Sequence, residues 1–132
     1  MSREGYLVHT FDLLHVGDID LVAQARERCD RLVVGVLTDD AVARLTSRRP
    51  VVPLEERAAL VAHIRGVDQV VVHGAVDHVL RAPVLLTSAV AAPLAPRESL
   101  LLLPRRQTQS VMLRASLRYA DESVASSKRA AS

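Results

Sequence analysis

Thr10-Phe11-Asp12-Leu13-Leu14-His15-Val16-Gly17-Asp18 lies between a short apolar run, Tyr6 to His9, and a segment, Ile19 to Arg28, whose apolar positions recur at helical spacing. That order predicts strand, loop and helix. The pattern then repeats. Leu32 to Leu37 is a Val/Leu run without alternation, as expected of a strand buried on both faces of a parallel sheet. Thr38 and Asp39 can cap a helix running to Leu45. Pro53 opens another helix, with Glu55 and Glu56 in its first turn, and Gly66 closes it. Gln69 to His73 reads as a third strand. Strands alternating with helices at this spacing predict an α/β fold, a Rossmann-like α/β/α arrangement in three layers around a parallel sheet of about five strands.

Beyond His73 the expected elements are a short helix at Val76 to Leu80, strands at Val84 to Thr87 and Leu100 to Leu103, and a final helix from Gln109 to Arg118. Ala89 to Pro96, rich in alanine and proline, reads as an irregular connection. Residues 1–120 are expected to form the domain and 121–132 a Ser/Ala-rich tail.

Composition narrows the partners. The chain has 132 residues, one domain by size, and its 17 basic residues nearly balance 15 acidic ones, for a net charge of +2. Only 2% of residues are aromatic, so stacking platforms for nucleic acid are not expected. No apolar run approaches the ~20 residues of a membrane span, which predicts a soluble, cytoplasmic protein. Cys29 is the single cysteine and is expected to be a structural thiol. Lys128 is the only lysine, so cationic phosphate contacts would come from arginine.

A strand that enters a loop and then a helix presents backbone N–H groups and a positive helix end at the carboxyl edge of the sheet, where phosphates bind in open α/β folds. Gly17 permits close approach to the backbone. His15 can donate to a phosphoryl oxygen, although one histidine beside one glycine also fits a purely structural role.

The nine residues Thr10 to Asp18 resemble the signature of the cytidylyltransferase-like nucleotidyltransferases, whose glycerol-3-phosphate cytidylyltransferase branch carries Phe-Asp-Leu-Leu-His-x-Gly-His. The likeness continues through Asp20 to Arg28, Arg31 to Asp40, and Pro50 to Asp68 with Pro53-Leu54-Glu55-Glu56-Arg57. A looser match, Thr108-Gln109-Ser110-Val111-Met112-Leu113-Arg114, has the spacing of the Ser/Thr-rich segment with which such families grip the triphosphate. The resemblance implies catalytic roles for His15 and Asp18, nucleotide contacts from Thr10, Phe11, Gly17, Thr108, Ser110 and Arg114, and substrate contacts from Asp12, Arg48, Arg49 and Arg57. It implies transfer of a nucleotidyl group, cytidylyl by family likeness, from CTP or another nucleoside triphosphate to a small phosphorylated or phosphonylated alcohol. Pyrophosphate leaves, with Mg2+ bridging phosphates, and a homodimer is expected. No protein metal ligands are assigned.

Asp18 stands where the signature has its second histidine. A bare carboxylate a few ångströms from a triphosphate is repelled by up to a few kcal/mol at an effective dielectric near 20, unless a metal lies between them. Asp18 can instead cap the following helix. Gln109 and Val111 replace hydroxyl positions of the C-terminal motif. Two readings therefore stay open: an active nucleotidyltransferase, and a degenerate relative that binds a nucleotide or phosphate metabolite without turnover, in a regulatory or partner-supporting role.

Overall fold

A computed structural model of the chain describes residues 3–74, 84–96, 98–103 and 105. Five strands, β1 (Glu4–His9), β2 (Arg31–Leu37), β3 (Gln69–His73), β4 (Val84–Ser88) and β5 (Leu100–Leu102), form one sheet in the order β3-β2-β1-β4-β5. Every neighbouring pair is parallel. The chain steps to one side of β1 for β2 and β3 and to the other for β4 and β5. The order of the sheet thus reverses between β1 and β4, the place where open α/β folds leave a crevice at the carboxyl ends of their strands.

Among the described residues three helices, α1 (Val16–Glu27), α2 (Asp39–Thr46) and α3 (Leu54–Ala62), cover the faces. Because successive strand residues point to opposite faces, Leu7 packs with Leu21, Val22 and Ala25 of α1 and Val61 of α3. Tyr6 and Val8 pack with Ala41 and Val42 of α2 and with Ala91. This is the expected three-layer arrangement. Both faces of β1 and β2 are buried, which explains their unbroken apolar runs.

The differences from the sequence reading have local causes. α1 begins at Val16, three residues ahead of Ile19, because His15 and Asp18 cap it reciprocally. α3 ends at Ala62, and the chain continues in tight turns to Gly66, whose φ of +103° suits glycine. The connection Ala89 to Pro96 contains one turn of 3-10 helix at Ala92–Leu94. The helices expected at Val76 to Leu80 and Gln109 to Arg118, and the 121–132 tail, lie outside the described residues. No helix among the described residues is long and apolar enough to cross a membrane.

One buried polar chain crosses the sheet. Tyr6 reaches over Gly35 of β2 to His73 of β3, its hydroxyl 2.7 Å from His73 Nδ1. His73 Nε2 is 2.9 Å from the Leu94 carbonyl, which can only accept. In the neutral ring Nε2 therefore donates, and Nδ1 accepts from Tyr6.

Candidate functional site

The loop from β1 to α1 has an unusual backbone. Phe11 and Leu13 have φ of +55° and +51°, a region that bulky residues enter only when their surroundings force it. Phe11 is held by burial, its ring edge-on to His9 with centroids 4.7 Å apart. Asp12 is held by its carboxylate, which accepts from the backbone N–H groups of Val51 and Val52 at 3.0 and 2.9 Å. The two turns deliver His15 to the N-terminus of α1.

His15 is the N-cap, its Nδ1 accepting from Gly17 N–H at 3.0 Å. The proton of the neutral ring is therefore on Nε2. That nitrogen lies 3.6 Å from Asp18 Oδ1, with only 12% of the side chain exposed. Asp18 closes the capping box, its Oδ2 accepting from His15 N–H at 3.2 Å. A carboxylate in the first turn meets the positive helix end, so the position suits it electrostatically.

Asp18 has a second imidazole partner. His9, the last residue of β1, places Nε2 2.8 Å from Asp18 Oδ1, while its Nδ1 is 2.6 Å from Ser88 Oγ at the end of β4. Ser88 Oγ also accepts from Ala91 N–H. All three side chains are buried. Ser88, His9, Asp18 and His15 thus form a continuous polar chain across the β1/β4 reversal of the sheet. Neither His9 nor Ser88 was anticipated; the available signal was a histidine terminating an otherwise apolar strand immediately before the loop.

Of the residues expected at the site, Thr10, His15, Gly17 and Asp18 come together at the carboxyl edge of β1. Asp12 fastens the Val51–Val52 backbone to that loop. Phe11 is a core residue whose ring packs into the apolar cluster, so that any contact it makes at the carboxyl edge is through its backbone. Arg57, expected to contact substrate, is turned inward. Its guanidinium is fully buried and donates to the carbonyls of Val52, Thr10 and Leu37 and to Asp39 Oδ1, at 2.7–2.8 Å. It ties the ends of β1 and β2 to α2 and to the loop before α3, which leaves a substrate no access to it. Arg49 forms an exposed ion pair with Asp40 at 3.2 Å, and Arg48 is exposed beside it. Thr108, Ser110 and Arg114 lie outside the described residues.

The chain leaving β5 returns to α1. Arg105 donates its backbone N–H to Asp20 Oδ2 at 2.8 Å and its guanidinium to Asp20 Oδ1, and Gln24 donates to the Leu103 carbonyl. Burial pushes the Asp20 carboxyl up, but the Arg105 N–H, the Gln24 amide and the Arg105 guanidinium outweigh it and hold it below its ordinary value.

Mg2+ does not fit Asp18. Both carboxylate oxygens are committed to histidines, and among the described residues no three His, Cys, Asp or Glu side chains form a metal-binding group.

Residues 6–91 match the family described as cytidylyltransferase-like. Over 73 residues the chain is 49% identical to the bifunctional protein HldE of Gluconacetobacter diazotrophicus, covering 54% of this chain and 15% of the relative. Over 62 residues it is 52% identical to the bifunctional protein HldE of Halorhodospira halophila, covering 46% and 13%. The chain thus matches only a small part of the length of these curated relatives. A lipopolysaccharide core biosynthesis protein from Thermoplasma volcanium has a similar structure, with a TM-score of 0.51 at 28% identity, covering 55% of this chain and 58% of the other.

Proposed function

The chain belongs to the cytidylyltransferase-like family, and from that membership we propose that it transfers a nucleotidyl group from a nucleoside triphosphate to a small phosphorylated acceptor. The observation that carries the reading is His15: a capping histidine whose Nε2–H is set at the N-terminus of α1, beside Gly17, at the reversal point of the sheet. An oxygen of the acceptor attacks the α-phosphorus in line, the bond from that phosphorus to the β-phosphate bridging oxygen breaks, and pyrophosphate departs with the electron pair. The protein's part is positioning and electrostatics. The helix N-terminus and the His15 N–H face the charge that builds on the phosphoryl oxygens.

The family's name favours CTP. Likeness to a lipopolysaccharide core biosynthesis protein favours a phosphorylated sugar among the small phosphorylated alcohols. The Asp18 charge, opposed in its pocket by His9 and His15, is shielded from a triphosphate by those rings rather than by a metal.

A thermal-shift panel of CTP, ATP, GTP and UTP, followed by pyrophosphate release with pooled sugar phosphates, tests the proposal. A ligand at 100 times its Kd adds ~2.7 kcal/mol of stability. Stabilisation with pyrophosphate release is the expected result. Stabilisation without release would favour a relative that binds without turnover, and no stabilisation by any triphosphate would sink both readings.

A further inference from the structure

We propose that His9 is a positioning residue for nucleotidyl transfer, acting on His15 through Asp18; this rests on the transfer function proposed above. His9 is buried, with each ring nitrogen engaged: Nε2 on Asp18 Oδ1 at 2.8 Å and Nδ1 on Ser88 Oγ at 2.6 Å. With Asp18 ionised, Nε2 donates to the carboxylate, and the Ser88 hydroxyl donates to Nδ1 of the neutral ring. This fixes Asp18 Oδ1. Asp18 Oδ2 is then directed at the His15 backbone N–H, and Oδ1 also faces His15 Nε2 at 3.6 Å. Two strands, β1 through His9 and β4 through Ser88, thereby set the orientation of one carboxylate, and that carboxylate sets the backbone and ring of the residue that meets the phosphate.

A carboxylate with a single partner could rotate about its terminal bond. One held by a ring wedged between Ser88 and the Phe11 edge cannot do so freely. Hydrogen bonds joined in this way polarise and rigidify one another. Orientation matters because a small displacement of a transition-state donor costs rate without a matching cost in ground-state binding.

Two conservative substitutions separate positioning from packing. In His9→Gln the side-chain amide reaches the place of Nε2 and can donate to Asp18. In His9→Asn the shorter amide reaches only the place of Nδ1, keeping Ser88 and abandoning Asp18. We expect His9→Asn and His9→Ala to lower kcat on the order of tenfold to a hundredfold, with the triphosphate KM within about twofold of wild type, and His9→Gln to recover most of the loss. The 15N signals of the His15 ring report independently. They should keep the Nε2–H tautomer that Gly17 N–H fixes in every variant, with one sharp set at wild-type shifts in wild type and His9→Gln, and displaced, exchange-broadened signals in His9→Asn. Equal kcat for Asn and Gln variants, or wild-type kcat in all three, would overturn the proposal. If the wild-type protein releases no pyrophosphate with any triphosphate, the transfer function falls. The ring signals then decide the positioning alone: displacement in His9→Asn with retention in His9→Gln upholds it, and indifference to both overturns it.

Discussion

Arg57 Nη1 donates to the Thr10 carbonyl at 2.7 Å, joining a helix residue to the first residue of the signature loop, 47 positions earlier in the chain. The same nitrogen also holds the Leu37 carbonyl at 2.8 Å. Arg57→Ala should therefore destabilise the protein by about 3–5 kcal/mol, because it leaves two buried carbonyls and the Asp39 carboxylate without their cation. Arg57→Lys should lose much of the same stability, since one ammonium cannot span four acceptors laid out for a planar fork. Urea denaturation of both variants measures this; a lysine variant as stable as wild type would contradict it.

His15→Ala should cut pyrophosphate release on the order of a hundredfold, the equivalent of ~3 kcal/mol of transition-state stabilisation. It should also lower stability by about 1 kcal/mol, since the ring caps α1 through Gly17 N–H. Steady-state kinetics and a melting curve on the same preparation separate the two effects. A rate unchanged beside a lowered melting temperature would make His15 a cap alone.

Asp18→Asn tests whether the carboxylate is a cap or a metal ligand. With both oxygens on histidines, we expect a loss of about 1–2 kcal/mol of stability from the weakened charge-assisted bonds. The Mg2+ dependence of triphosphate affinity, read by calorimetry, should match wild type. A Mg2+ dependence that vanishes in the variant would mean that Asp18 leaves His9 to bind the ion.

Gly35→Ala should be among the most damaging single changes in the sheet. The added Cβ would lie 2.0 Å from the Tyr6 hydroxyl and 2.5 Å from its ring carbon, so the Tyr6–His73 bond must break or the strands must part. We expect a loss of at least ~3 kcal/mol in chemical denaturation. A near-neutral result would show that Tyr6 has another rotamer available.

Acid should loosen the junction of β5 with α1. Asp20 is held below its ordinary value in the fold, so its contribution to stability is present above the unfolded pKa and is lost as pH falls through the folded one. Asp20→Asn should accordingly be less stable than wild type at neutral pH, and the gap should narrow as pH falls below about 4. Denaturation curves at pH 7 and pH 3 read this directly, and a gap as wide at pH 3 as at pH 7 would place the stabilisation elsewhere.

The parallel sheet was legible because buried strands such as Leu32 to Leu37 cannot alternate, and because Thr38, Pro53 and Gly66 punctuate the helices between them. The grouping of His15, Gly17 and Asp18 at the start of α1 follows from their adjacency in the chain, while their roles rest on resemblance to the family signature, since one histidine beside one glycine also fits a structural role. The inward turn of Phe11 and Arg57 was not legible, because spacing does not reveal which way a side chain points: a left-handed loop turns one ring into the core, and a surface-looking helical arginine is drawn beneath the loop by three carbonyls. His9 and Ser88 lie 79 residues apart and meet only because β1 and β4 are neighbours. No local pattern could pair them.

The two left-handed turns at Phe11 and Leu13 have a consequence for the order of events during synthesis. Each such turn costs on the order of 1–3 kcal/mol and persists only where surroundings over-determine it. Part of those surroundings is the Val51–Val52 backbone that binds Asp12, made some forty residues later. As the chain leaves the ribosome, β1 and α1 can form early, but the loop between them cannot hold its final shape until Val52 has emerged and docked. The carboxyl edge of the sheet at this loop is then finished by the middle of the domain, not its beginning, and a nascent chain stalled before Val51 would carry the signature without its folded geometry.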